Sequence, residues 1–198
     1  MSLTVAIRAA LTEAQTGLQN LLDDSDVLAA LEKAGVLLAD SLKAGGKVYS
    51  CGNGGSMCDA MHFAEELSGR FRDDRAALAA LSISDPSHMS CVANDYGYEY
   101  VFSRFIEAHG KVGDVLLAIS TSGKSKNVLN AAATAKQRGV KIIALTGKRE
   151  CPLAQVSDIL LATPIGTYAD RVQELHIKMI HIMIELVERQ LFPANYAA

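Results

Sequence analysis

An α/β fold is predicted for this 198-residue chain: a five-stranded parallel sheet flanked by helices, with extra N-terminal helices and a long C-terminal helix. Three features predict it. Five short runs are apolar almost throughout, as strands buried on both faces read. The stretches between them are helical in spacing. Both ends of the chain carry helical periodicity and no strand pattern.

In chain order, the first 44 residues place apolar side chains at Val5, Ala9, Leu18, Leu21, Val27, Leu31 and Leu38, interrupted near "DDSD". Two helices are therefore expected before any strand. The five runs follow as "KVYSCG" (47–52), "ALAALSI" (77–83), "DVLLAIS" (114–120), "KIIALTG" (141–147) and "DILLATP" (158–164). The stretch "YADRVQELHIKMIHIMIELVERQLF" (168–192) reads as one long helix, with Val172, Leu175, Ile177, Ile180, Ile184 and Val187 on its apolar side. Helices at both ends leave more apolar helical surface than one sheet covers, so self-association is expected. With no repeat or linker, residues 1–198 read as a single domain.

Composition narrows the class. With 49% apolar and 21% charged residues, the chain can bury a full core and is not disordered. A formal charge of −3 supplies no basic field for nucleic acid or anionic membrane. Any anion must be held by local geometry. Cys51, Cys58, Cys91 and Cys151 have neither metal-site nor disulfide-framework spacing, so reduced thiols in a cytoplasmic protein are expected. The opening residues lack the uninterrupted apolar core of a signal peptide. No run approaches the roughly 20 apolar residues of a membrane span.

In open parallel sheets ligands bind beyond the carboxyl ends of the strands. Two loops there can bind anions. The first is "GNGGS", Gly52 to Ser56, where glycines allow close backbone approach and the next helix offers free N–H groups. A dinucleotide fingerprint fails because Met57 stands where helix packing needs a small residue. The second is "STSGKS", Ser120 to Ser125, which is not a P-loop because Ala118 stands where that motif needs glycine. Its hydroxyls, on Ser120, Thr121, Ser122 and Ser125, surround Gly123 just before a helix and make a phosphate cradle.

The helix after "GNGGS" carries His62 and Glu66 on one face, with Gly69 placed to end it. Such a pair can bind a metal or move protons. Glu65 points about 100° away and is expected to be solvated. His176 and His109 read as core histidines and His88 as a helix-start residue near the pocket, while Met179 and Met183 read as packing.

The segments "CGNGGSMCDAMHFAEELSGR", "VANDYGYE", "GDVLLAISTSGKS", "ALTGK" and "RVQELHIKMIHIMIELVE" together resemble the phosphoheptose isomerases of the sugar isomerase (SIS) fold family, over residues 1 to about 192. The resemblance implies a flavodoxin-like SIS domain that converts sedoheptulose 7-phosphate into D-glycero-D-manno-heptose 7-phosphate, the first step towards the heptose of bacterial lipopolysaccharide. It also implies a cytoplasmic homotetramer with one zinc per subunit. Carried over by position, it assigns Asn53, Gly54, Gly55, Ser56, Asn94 and Asp95 to the sugar and Ser120, Thr121, Ser122 and Ser125 to the phosphate. It assigns His62, Glu66, Gln173 and His181 to the metal, with Gln173 and Asp170 also facing substrate.

Aldose–ketose interconversion moves a proton between C1 and C2 through an enediol. Glu66 is the expected base at carbon and His181 the acid and base at oxygen. Gln173 and His181 are eight residues apart, roughly 12 Å along one helix, so a shared metal would draw on extended side chains or on two protomers. Active sites near subunit interfaces are expected. The loop "GKREC", Gly147 to Cys151, departs from the family pattern. The alternative is a non-catalytic sugar-phosphate-binding SIS regulator acting on a protein partner such as a replication initiator. It needs the phosphate loop but not Glu66 or His181.

Overall fold

The computed structural model describes residues 2–163, 166 and 168–197. All five apolar runs become strands: β1 (Val48–Cys51), β2 (Ala80–Ser82), β3 (Val115–Ser120), β4 (Lys141–Thr146) and β5 (Ile159–Ala162). Pro164, the end of the fifth run, lies outside the described residues. The helices are α1 (Leu3–Leu22), α2 (Ser25–Lys43), α3 (Gly55–Ser68), α4 (Pro86–Asp95), α5 (Val101–His109), α6 (Lys126–Gln137), α7 (Pro152–Val156) and α8 (Ala169–Leu191). Asp24 caps α2 by accepting the Val27 N–H, and Asp85, followed by Pro86, caps α4 by accepting the His88 N–H.

The strands pair in parallel in the order β2-β1-β3-β4-β5. That order reverses direction between β1 and β3, so their carboxyl ends flank a crevice. Alternate residues of β3 feed opposite layers: Val115, Leu117 and Ile119 join α2, α3 and α8, whereas Leu116 and Ala118 join α5 and α6. Both faces are therefore covered, which explains why the strands read as unbroken apolar runs.

α1 leaves apolar surface uncovered, as expected of a terminal helix: Val5 and Leu18 are exposed, as are Leu3, Ile7 and Leu11, and its main contacts are with α2 and α8. His109 departs from its reading: it is exposed at the end of α5, against Phe105. The cysteines are free thiols, as expected.

Arg75 ties α3 to α8. Its guanidinium donates to the carbonyls of Glu66 (2.6 Å), Leu67 (2.8 Å) and Gly69 (2.9 Å) and to Glu188 Oε1 (2.8 Å). The Tyr196 hydroxyl donates to the other Glu188 oxygen at 2.7 Å.

His176 is buried on α8, as expected, and among the described residues neither ring nitrogen makes a well-formed hydrogen bond. Burial pushes its pKa down to about 4, the Thr146 carbonyl opposing in part. Above the unfolded value near 6.5, both states are neutral and nothing is lost. Below it the unfolded state takes up a proton that the folded state refuses, until the folded pKa is reached. Denaturant titration should therefore show about 2 kcal/mol of stability lost from this group between pH 7.5 and pH 5. His176→Leu should remove that share of the pH dependence.

Candidate active site

The glycine turn and the serine loop leave β1 and β3 side by side at the sheet's reversal point, where Cys51 pairs with Ala118. Gly54 has φ of +55°, a left-handed conformation at the turn into α3, whose first N–H groups bond back to the Asn53 and Gly54 carbonyls. Gly55 has a different constraint: a Cβ there would lie 2.7–2.9 Å from the Gln173 carboxamide. Gln173 therefore packs directly on the first residue of α3. Ser56 is buried behind the turn.

In the serine loop, Ser120 Oγ and Ser125 Oγ are 3.1 Å apart, and Ser122 Oγ accepts the Lys124 N–H at 3.2 Å. Gly123 has φ of +63° and is seated against Cys151, whose Sγ is 2.3 Å from where a Cβ would stand. The Gly123 carbonyl accepts the Leu153 N–H at 3.2 Å. The divergent segment Gly147 to Cys151 thus leads into the support beneath the cradle. A cavity of about 230 Å³ lies between Thr121, Ser122, Lys148 and the start of α8 at Tyr168, Ala169 and Val172. A second, of about 330 Å³, is lined by Asn53, Tyr98, Glu99, Ser125, Lys126 and Asn127.

Further along, α3 and α8 run in register. His62 Nε2 faces His181 Nε2 at 2.9 Å, and Glu66 Oε1 lies 3.6 Å from His62 Nε2. Burial raises the Glu66 carboxyl above its ordinary range, Glu65 adding and His62 opposing. Burial, with the charges of His62, Lys178 and Arg72, lowers the His181 imidazole. Burial thus shifts both groups toward their neutral forms, as groups in a partly desolvated site do. Donor atoms of His62, Glu65 and Glu66 lie close enough together to share an ion, with His181 reaching His62, and imidazole and carboxylate donors suit zinc.

Not every expected group joins this cluster. Gln173 sits at Gly55, about 10 Å of helix rise from His62, so within one chain it is not a co-ligand with His181. Asp170 is exposed in the first turn of α8, about three turns before His181. Asn94 and Asp95 are exposed at the end of α4, the Asn94 amide donating to Asp95 at 2.8 Å. His88 does not face the pocket, because its Nε2 lies 2.8 Å from the Val101 carbonyl.

Other groups were not foreseen. Glu65 is exposed as expected, yet its Oε1 comes within 3.2 Å of His62 Nδ1, since i and i+3 are helical neighbours. Asp59, one turn before His62, has a buried oxygen without a partner, and burial pushes its pKa up to about 6. Its spacing three residues before His62 was a readable signal. Asn127 and Arg75 had no local signal, since their partners are far away in sequence.

The chain is similar to known proteins over most of its length. Residues 15–147 match the SIS domain family. The phosphoheptose isomerase of Proteus mirabilis (strain HI4320) is 58% identical over 185 residues, covering 93% of this chain and 96% of the relative. The structure of the phosphoheptose isomerase from Neisseria gonorrhoeae superposes with a TM-score of 0.87 at 36% identity, covering 94% of this chain and 99% of that one. One from Francisella tularensis gives 0.90 at 30% identity, covering 96% and 100%. By sequence over nearly its whole length, and by fold, the chain belongs to the phosphoheptose isomerases of the SIS domain family.

Proposed function

We propose that the chain interconverts sedoheptulose 7-phosphate and D-glycero-D-manno-heptose 7-phosphate through an enediol, in a cytoplasmic homotetramer that supplies the heptose of bacterial surface glycans. The observation that carries this is the meeting of His62 and His181, from helices far apart in sequence, beside the mostly buried Glu66. Glu66 takes the proton from C1 of the open-chain ketose, and the electrons of that bond form C1=C2 while the C2 oxygen is protonated. Return of a proton to C2, with loss of the O1 proton, leaves the aldehyde. His181, whose imidazole burial shifts toward the neutral form, donates to one oxygen and accepts from the other.

The serine loop holds the phosphate through hydroxyls and the N-terminus of α6, which suits a chain with no net positive field. Asn53, Gly54, Gly55, Ser56, Asn94, Asp95, Asp170 and Gln173 address the sugar. His62, Glu66 and His181 would hold a zinc ion, which when bound polarises substrate oxygens as a Lewis acid.

Glu66 lies eleven residues beyond Gly55, roughly 16 Å of helix rise. That spacing, with the exposed apolar side of α1, supports a site completed by a second copy of the chain. A monomeric variant with full activity would contradict it. The direct test of the reaction is incubation with sedoheptulose 7-phosphate in heavy water, the expected product being an aldose deuterated at C2. Bound ester without turnover would leave only a sugar-phosphate-binding role.

A further inference from the structure

Asn53 and Asn127, 74 residues apart, form a reciprocal amide pair: Asn53 Nδ2 donates to Asn127 Oδ1 at 2.9 Å, and Asn127 Nδ2 donates to Asn53 Oδ1 at 2.8 Å. The orientation of the pair is not arbitrary. Asn127 Oδ1 also accepts the Val128 backbone N–H at 3.0 Å, and an N–H only donates, so that atom must be the oxygen. Asn127 Nδ2 then has to face Asn53 Oδ1. The Tyr98 hydroxyl donates to the same Asn53 oxygen at 3.2 Å.

The consequence concerns what Asn53 has left to offer. Its carbonyl oxygen has two acceptor sites, and both are filled by Asn127 and Tyr98. One N–H of its amide is spent on Asn127, and one remains. Asn127 is 4% exposed, so its orientation is set by the protein and not by solvent. All three residues border the same cavity of about 330 Å³, beside Ser125 of the phosphate loop.

We propose that Asn127 is a positioning residue which, with Tyr98, commits Asn53 to a single role, donating one hydrogen bond to an acceptor oxygen of the bound sugar phosphate. A hydroxyl in need of an acceptor is not served there. The clasp also joins the turn after β1 to the helix after β3, so the sugar and phosphate contacts hold a fixed relation to each other. This inference rests on the isomerase reading above.

A double-mutant cycle tests it, with kcat and KM for sedoheptulose 7-phosphate measured on the full chain. Asn127→Ala should lower kcat/KM roughly ten- to hundredfold, the loss expected when a buried amide is left unsatisfied and free to turn. In an Asn53→Ala background the same change should cost less than about twofold more, because its effect passes through Asn53. Tyr98→Phe, at an exposed residue that leaves folding intact, should follow the same pattern with a smaller loss. Losses that multiply independently in either cycle would overturn the proposal. If the wild-type protein binds the ester without turnover, the same cycle is read in Kd by calorimetry. If it neither binds nor turns over, the functional reading falls and the clasp falls with it.

Discussion

Glu66→Gln is expected to lower kcat by about a thousandfold, within the range that a positioned general base contributes. Binding of the sugar phosphate should change only a few-fold, because the carboxamide keeps the shape of the carboxylate and the phosphate is held elsewhere. Two assays run on the same protein separate the roles this residue can play. Exchange of solvent deuterium into the sugar should disappear, since the amide cannot accept the C1 proton. Bound metal, measured by elemental analysis, should stay near the wild-type level if His62 and His181 hold most of it. Loss of metal in proportion to activity would make Glu66 primarily a ligand, and a fully active variant would remove it from the reaction.

Arg75→Met is expected to have the largest effect on stability. Arg75 and Glu188 are each 1% exposed, so removing the cation strands a carboxylate inside the protein. Breaking such a buried pair costs about 3–5 kcal/mol. The carbonyls of Glu66, Leu67 and Gly69 lose their donor as well, which loosens the end of α3 that carries Glu66. Denaturant unfolding should show the loss directly. Arg75→Met combined with Glu188→Leu should recover part of it, because the uncompensated charge is gone. A single variant as stable as wild type would show that Tyr196 alone satisfies Glu188.

What could be read in advance follows from the range of each signal. β3 was legible because burial on both faces leaves no polar position between Val115 and Ile119. α2 was legible because Asp24 and the apolar positions Val27, Leu31 and Leu38 lie within one local pattern. The serine loop was legible because its four hydroxyls fall within six residues. Asn127 was missed because its partner is Asn53, and Arg75 because Glu188 lies on the last helix. The uncovered side of α1 was expected from the surplus of apolar helical surface, but periodicity shows that a face is apolar without showing what covers it. His109 was misjudged as a core residue and is exposed where it closes the short helix α5.

The pairing of α3 with α8 has a consequence in time. During synthesis α3 leaves the ribosome about a hundred residues ahead of α8. Until then His62 has no imidazole opposite it, and the greasy flank of α3 faces water or a chaperone. Nascent chains acquire structure roughly in the order they emerge, and contacts distant in sequence form last. The serine loop after β3 is therefore made early and the contact between His62 and His181 late.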